Sequence, residues 1–78
     1  MPFMGYNFYM NIIFAERLKE LREDKNLSMQ DLAKELGIGS SSICRWEKGQ
    51  ADIKGDELVI IANYFKVTTD YLLGLSDN

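Results

Sequence analysis

The chain has 78 residues, of which 46% are hydrophobic and 27% charged, with a formal net charge of −3 and no histidine. This length accommodates one small domain, and the composition is that of an ordinary globular protein, which excludes a wholly disordered chain. The single cysteine, Cys44, cannot form an internal disulfide, and the lack of histidine excludes a Cys/His zinc site. We therefore expect a reduced, cytoplasmic protein without a metal or cofactor.

The first fourteen residues, MPFMGYNFYMNIIF, are largely apolar and carry no charged side chain. They have neither the basic start and cleavage site of a signal peptide nor the roughly 20 apolar residues of a membrane span. Apolar residues occupy every even position from Tyr6 to Phe14, which favours a strand. We expect residues 1–13 to form an extended apolar arm that a partner subunit covers. The alternative is a frayed leader, with Met10 as an equally plausible start.

Helical patterns begin where the apolar segment ends. Apolar residues at helical spacing from Phe14 to Leu21 predict a first helix that ends near Lys25. Ser28 followed by Asp31 three residues later has the form of a capping box and predicts the start of a second helix.

The second and third predicted helices are separated by a glycine turn. Gly37 with the apolar Ile38 after it is typical of a left-handed helix cap. A new helical pattern begins only three residues later, with Ile43 and Trp46 facing inward, and Gly49 ends it. Two short helices joined in this way form a helix-turn-helix.

Two more helices are predicted after the loop QADIKG. The segment Asp56 to Phe65 has apolar residues at i, i+3, i+4 and i+7 and two acidic residues in its first turn, where they favour the helix dipole. A short fifth helix, Thr69 to Leu73, ends at Gly74.

The runs RLKELRE, LAKELGI, RWEKG and DYLLGLSD, in this order and spacing, resemble the motifs of the XRE-type helix-turn-helix family of lambda repressor and Cro. The resemblance covers residues 17–77. It implies an all-α fold in which residues 14–78 form a compact five-helix lambda-repressor-like DNA-binding domain, preceded by the extended N-terminal arm. It also implies that the third helix lies in the major groove of double-stranded DNA, while the second crosses the phosphate backbone.

Within this frame the outward face of the third helix and the start of the second are the candidate DNA contacts. The family's base-contacting positions fall on Ser40, Ser41, Cys44 and Arg45. The full candidate set is Ser28, Met29, Gln30, Gly39, Ser40, Ser41, Cys44, Arg45, Lys48 and Lys54. A serine hydroxyl reaches only a short way and allows close approach to the groove, whereas the Arg45 fork can bind guanine in a bidentate pair worth about 1–3 kcal/mol of discrimination.

Each of these side chains has a structural interpretation as well. Ser40 and Ser41 could instead satisfy backbone N–H groups in the first helical turn. Cys44 is more readily an inert side chain or a contact to a thymine methyl than a redox sensor.

Other positions are expected to be architectural. Trp46 and the turn residue Gly37 belong to the fold itself. The resemblance implies that Arg22 and Glu47 form a partly buried salt bridge, so that removing one partner leaves the other buried without its counter-charge.

Two departures from the family weaken the predicted contacts with DNA. Met29 stands where the family often has a phosphate-binding glutamine, and the loop after the third helix, commonly basic in the family, reads QADIK and contributes Asp52 alongside Lys54. Gly39 also stands where the family usually has serine or threonine. From Ser28 to Lys54 there are four basic and four acidic residues, so the predicted DNA-facing half is neutral. We therefore expect affinity from local contacts and a shallow dependence on salt.

We conclude from the sequence that this is a sequence-specific DNA-binding transcriptional regulator, a bacterial or phage repressor that binds a two-fold symmetric operator as a homodimer. Candidate interface elements are the arm, Tyr64, Phe65 and the segment Tyr71 to Leu75. The alternative is a protein-interaction module on the same fold, such as an antitoxin or the partner of an anti-repressor, with weak or no DNA binding. An enzyme is disfavoured because no nucleophile–base pair or metal-ligand cluster can be assembled.

Overall fold

A computed structural model describes residues 2–50 and 53–77 of the chain, with side chains from residue 11 onward. The described residues form five helices and no strand. The helices are α1 (Pro2–Asp24), α2 (Met29–Leu36), α3 (Ser40–Glu47), α4 (Gly55–Phe65) and α5 (Thr69–Leu73). The predicted all-α, five-helix fold is confirmed, and apart from the start of α1 the predicted ends of the helices agree with the observed ones to within two residues.

The extended arm, in contrast, is a wrong prediction, because residues 2–13 are helical and continuous with α1. The alternating pattern was ambiguous: Tyr9 and Ile13 are also apolar, so the segment fits a helical period as well as a strand period. Nucleating a helix is costly but extending it is not, and no proline follows Pro2, whose missing N–H costs nothing in a first turn. The helix anchored at Phe14 therefore propagates toward the N-terminus.

The core collects at least one fully buried side chain from each helix. These side chains are Phe14, Leu18, Leu32, Ile43, Ile61 and Leu72. Complete burial of such a side chain contributes about 1.5–3 kcal/mol. Phe14 and Trp46 meet edge to face at a centroid distance of 6.2 Å, which fixes α1 against α3.

The core also contains residues that the sequence assigned to a dimer interface. Phe65 is buried, and Tyr64 packs edge to face against it with ring centroids 5.0 Å apart. In the fifth helix Leu72 is fully buried and Tyr71 packs against the core. The prediction was wrong for Phe65 and Leu72, because an apolar pattern does not tell whether the chain itself or a partner covers it. For Tyr64 and Tyr71, which are only partly buried, the interface role stays a prediction. Leu75 remains 57% exposed.

α2 begins and ends where the sequence predicted, at the Ser28 capping box and at Gly37. The Ser28 hydroxyl accepts the Asp31 N–H at 3.0 Å, and the Asp31 carboxylate accepts the Ser28 N–H at 3.3 Å, so the predicted capping box is present. Gly37 ends the helix with φ of +71°, in the left-handed region that glycine adopts at little cost.

α1 packs against α5. Gly74 ends α5 with φ of +81°, and a Cβ at this position would lie 2.7 Å from Cδ1 of Ile13. Only glycine therefore fits both the backbone conformation and the close approach of α1.

The described part of the chain has neither a candidate membrane-spanning helix nor a candidate metal site. None of its helices has the length and hydropathy that crossing a membrane requires. Within residues 2–50 and 53–77 there is also no group of three or more cysteine and acidic side chains that could hold a metal ion.

Candidate nucleic-acid interface

The orientation of α3 is set by its inner face. Ile43 is fully buried and Trp46 is 4% exposed, so this side of the helix is fixed in the core. Because successive helical residues differ by about 100°, the opposite side must face solvent. α3 packs directly against α2 and α1, which leaves that side open.

The predicted reading residues lie on this open side. Gly39, Ser40, Ser41, Arg45 and Lys48 are exposed, and the Cys44 side chain is half-buried. Four polar side chains and one thiol therefore share a continuous surface, which we call the α3 face and define as Ser40, Ser41, Cys44, Arg45 and Lys48.

The start of α3 has no side-chain cap. Gly39, and not Ser40, is the N-cap residue, and it makes no side-chain hydrogen bond. The N–H groups of a first helical turn have no partner within the helix and carry the positive end of its dipole. This end of α3 can therefore accept an anion such as a phosphate oxygen.

The three DNA contacts predicted at the start of α2 differ in their exposure to solvent. Ser28 and Gln30 are exposed, but Met29 is half-buried and packs against the core. Met29 therefore has a packing role, which accounts for an apolar residue at this position. The Ser28 hydroxyl is engaged by the Asp31 N–H, so Gln30 has the freer of the two polar side chains.

A buried ion pair connects the two parts of this surface. Arg22 on α1 donates from Nε to Glu47 Oε2 at 2.6 Å and from Nη2 to Oε1 at 2.9 Å. Its Nη1 donates to the carbonyl oxygen of Leu27 at 2.8 Å, directly before the Ser28 cap. The Arg22 and Glu47 side chains are only 11% and 3% exposed. The hydrogen bond to the Glu47 carboxylate raises the pKa of Arg22, so the guanidinium stays charged.

This ion pair changes the charge that DNA would meet. From residue 28 to residue 54 the sequence has four basic and four acidic residues, but Glu47 is neutralised by Arg22, which lies outside that range. The remaining balance is four basic against three acidic residues, or +1. The three acidic residues include Asp52, which lies outside the described residues. Lys54 is exposed at the N-cap of α4.

Arg17 is an important residue that the sequence did not reveal. Its guanidinium lies 4.3 Å from the centroid of the Tyr71 ring and donates to the carbonyl oxygens of Tyr71 and, at 2.8 Å, Ser76. It thus ties α1 to the end of α5. The sequence does not predict this contact, because the hydrogen-bond acceptors are backbone carbonyl oxygens more than 50 residues away.

Comparison with known proteins places the chain among regulators. The family model described as "Helix-turn-helix" matches residues 18–72. The chain is 38% identical over 66 residues to the HTH-type transcriptional regulator YobD of Bacillus subtilis, covering 85% of this chain and 59% of that protein. It is 38% identical over 60 residues to the HTH-type transcriptional activator BcrR of Enterococcus faecalis, covering 77% and 29%.

A third relative, the HTH-type transcriptional regulator ImmR of Bacillus subtilis, is 36% identical over 60 residues, covering 77% of this chain and 47% of ImmR. The chain thus spans between about a third and three fifths of the length of these relatives. Their names describe transcriptional regulators rather than enzymes, in agreement with the expectation from the sequence. The matched helix-turn-helix, its ion pair and these relatives together show that the chain belongs to the XRE-type helix-turn-helix family.

Proposed function

We propose that this protein is a sequence-specific DNA-binding transcriptional regulator that reads double-stranded DNA with the α3 face. The observation that carries the proposal is the exposure of Arg45 and Lys48 on α3 while Ile43 and Trp46 hold the other side of that helix in the core. A helix presented in this way can enter the major groove. The names of the relatives support regulation of transcription as the context.

Within this surface we assign different roles to different residues. Arg45 would read a guanine through O6 and N7, since its fork supplies two parallel donors. Ser40, Ser41 and the uncapped start of α3 would contact phosphate or allow close approach, and Lys48 and Lys54 would add charge near the backbone. Gln30 would contact a phosphate beside α2.

We further propose that the protein acts in the bacterial cytoplasm as a repressor, and as a homodimer on a two-fold symmetric operator to which residues 1–13 contribute. A single domain of this size covers few base pairs, which favours two copies on one site. One relative is named an activator, so repression needs its own test. A promoter reporter should lose expression when the protein is produced, and increased expression would contradict repression. Deleting residues 1–10 should weaken the dimer in light scattering, and an unchanged dimer would exclude a role for this segment.

The reading role of Arg45 is tested by selecting bound duplexes from a random DNA pool at about 0.1 M salt, where screening is substantial. Wild type should enrich a two-fold symmetric motif. Arg45→Ala should bind that motif about 5- to 150-fold less tightly and lose preference at one base pair per half-site.

Two controls separate reading from charge. Arg45→Lys keeps the charge but not the bidentate fork, so it should lose preference while retaining non-specific binding. Lys19→Ala removes an exposed cation from α1 that is not part of the α3 face, and it should bind like wild type. If wild type enriches no motif and Arg45→Ala behaves like it, the fold serves protein interaction instead.

A further inference from the structure

The helix α4 has two exposed apolar side chains on the side that faces away from the core. Val59 is 49% exposed and Ile60 is 44% exposed, whereas Ile61 and Ala62 behind them are buried. With 3.6 residues per turn, Asp56 and Asn63 fall on the same side as Val59 and Ile60, one turn before and one turn after. We call this exposed row of Asp56, Val59, Ile60 and Asn63 the α4 stripe.

Within the described part of the chain, Val59 and Ile60 are exposed and do not belong to the core. α4 contacts α5 and α2, and its buried residues are Ile61, Ala62 and Phe65. Two adjacent branched side chains left in water form a contiguous apolar patch, and covering them would be favourable. The stripe is therefore available to a second molecule.

The charges along α4 indicate what that molecule is. The helix begins with the acidic Asp56 and Glu57 and ends at the exposed Lys66, its C-cap residue. A second α4 that runs antiparallel across a two-fold axis between Val59 and Ile60 brings Asp56 opposite Asn63 and near Lys66 of the other copy. A parallel arrangement would place the acidic ends together, with like charges and like dipole ends repelling. The stripe is thus complementary to itself in the antiparallel arrangement.

We propose that the α4 stripe is the contact between two copies of this chain on DNA, with α4 antiparallel to α4; this inference rests on the proposed function and identifies the surface that its dimer uses. A helix of 11 residues is only about 16 Å long. A contact of this length falls below the roughly 1,200 Å² of stable complexes, so the α4 stripe by itself holds two free copies together only weakly. Two copies held on neighbouring half-sites have a high effective concentration, and the contact forms there as cooperative binding.

The stripe is tested with the full-length chain on duplexes that carry either one or two selected half-sites. Ile60→Glu should bind one half-site like wild type but lose cooperativity on two half-sites by about tenfold or more, because it places two carboxylates at the contact. Lys19→Glu is the control, since it also adds a carboxylate at an exposed position, but on α1 and outside both residues 1–13 and the α4 stripe. Full cooperativity in Ile60→Glu would overturn the proposal. Failure of wild type to bind even one half-site would instead overturn the proposed function.

The antiparallel arrangement has a separate test by charge reversal. Asp56→Lys and Lys66→Glu should each reduce cooperativity about two- to fivefold, the range of exposed ion pairs. The double variant restores opposite charges across the axis and should recover most of the cooperativity. Additive losses in the double variant would contradict the antiparallel contact. Thermal unfolding of each variant separates these effects from a loss of helix stability at the α4 ends.

Discussion

Replacing Glu47 with alanine tests whether the buried ion pair holds the DNA-facing surface together. Glu47 is 3% exposed and Arg22 is 11% exposed, and they share hydrogen bonds of 2.6 and 2.9 Å. Glu47→Ala leaves the guanidinium buried with only the Leu27 carbonyl as a described partner. Breaking a buried pair on one side costs about 3–5 kcal/mol.

This loss is large for a domain of 78 residues, whose total free energy of unfolding is roughly 4–12 kcal/mol at the usual value per residue. Domains of this size lose roughly 4–8 °C in Tm for each kcal/mol, so Tm should fall by about 12 °C or more. The assay is thermal and urea unfolding followed by circular dichroism at the helix band.

Two variants make the measurement specific. Arg22→Met with Glu47→Leu removes both charges and should recover much of the loss, because no buried charge is left unpaired. Asp77→Ala removes the other ion pair, at 4.0 Å, in which Asp77 is fully exposed, and Tm should not change measurably. If Glu47→Ala costs less than about 1 kcal/mol, the value of an exposed pair, then water screens this ion pair and the reasoning fails.

Three further predictions concern single positions and salt. Gly74→Ala should destabilise the domain by about 2–4 kcal/mol, because the left-handed backbone strain is added to a collision with Ile13. Gly37→Ala has open space around its Cβ and should cost only about 1–2 kcal/mol. Equal losses of Tm in the two variants would contradict the close packing of Gly74 against Ile13. Ser28→Ala should cost about 1 kcal/mol by urea unfolding, since it removes the cap of α2; an unchanged midpoint would show that Asp31 alone maintains this end. The slope of log K against log salt for one protomer on one half-site should be no steeper than about −3, given the three cations proposed to face DNA, Arg45, Lys48 and Lys54. A steeper slope would mean that a basic surface elsewhere binds DNA.

Most of the fold could be predicted because local residues mark the ends of the helices. The Ser28 and Asp31 capping box, Gly37 and Gly74 act through neighbouring backbone atoms, so the sequence contains the whole interaction. The outward side of α3 was predictable for a related reason, since burial of Ile43 and Trp46 determines the side that remains.

The wrong predictions share a different cause, because they depend on contacts that the sequence does not contain. The apolar segment before Phe14 fits two periods, and only the helix that follows it decides between them. Phe65 and Leu72 are apolar in either a core or an interface, and packing alone decides. Arg17 gave no signal because its partners are distant carbonyl groups and one aromatic ring.

Amide chemical-shift mapping of the protein titrated with the duplex it selects tests whether the α3 face binds DNA. We expect the largest changes at residues 39–48 and 28–31, with smaller changes along α4 where two copies meet. Changes confined to α1 or α4, with the amides of α3 unperturbed, would contradict DNA binding by the α3 face.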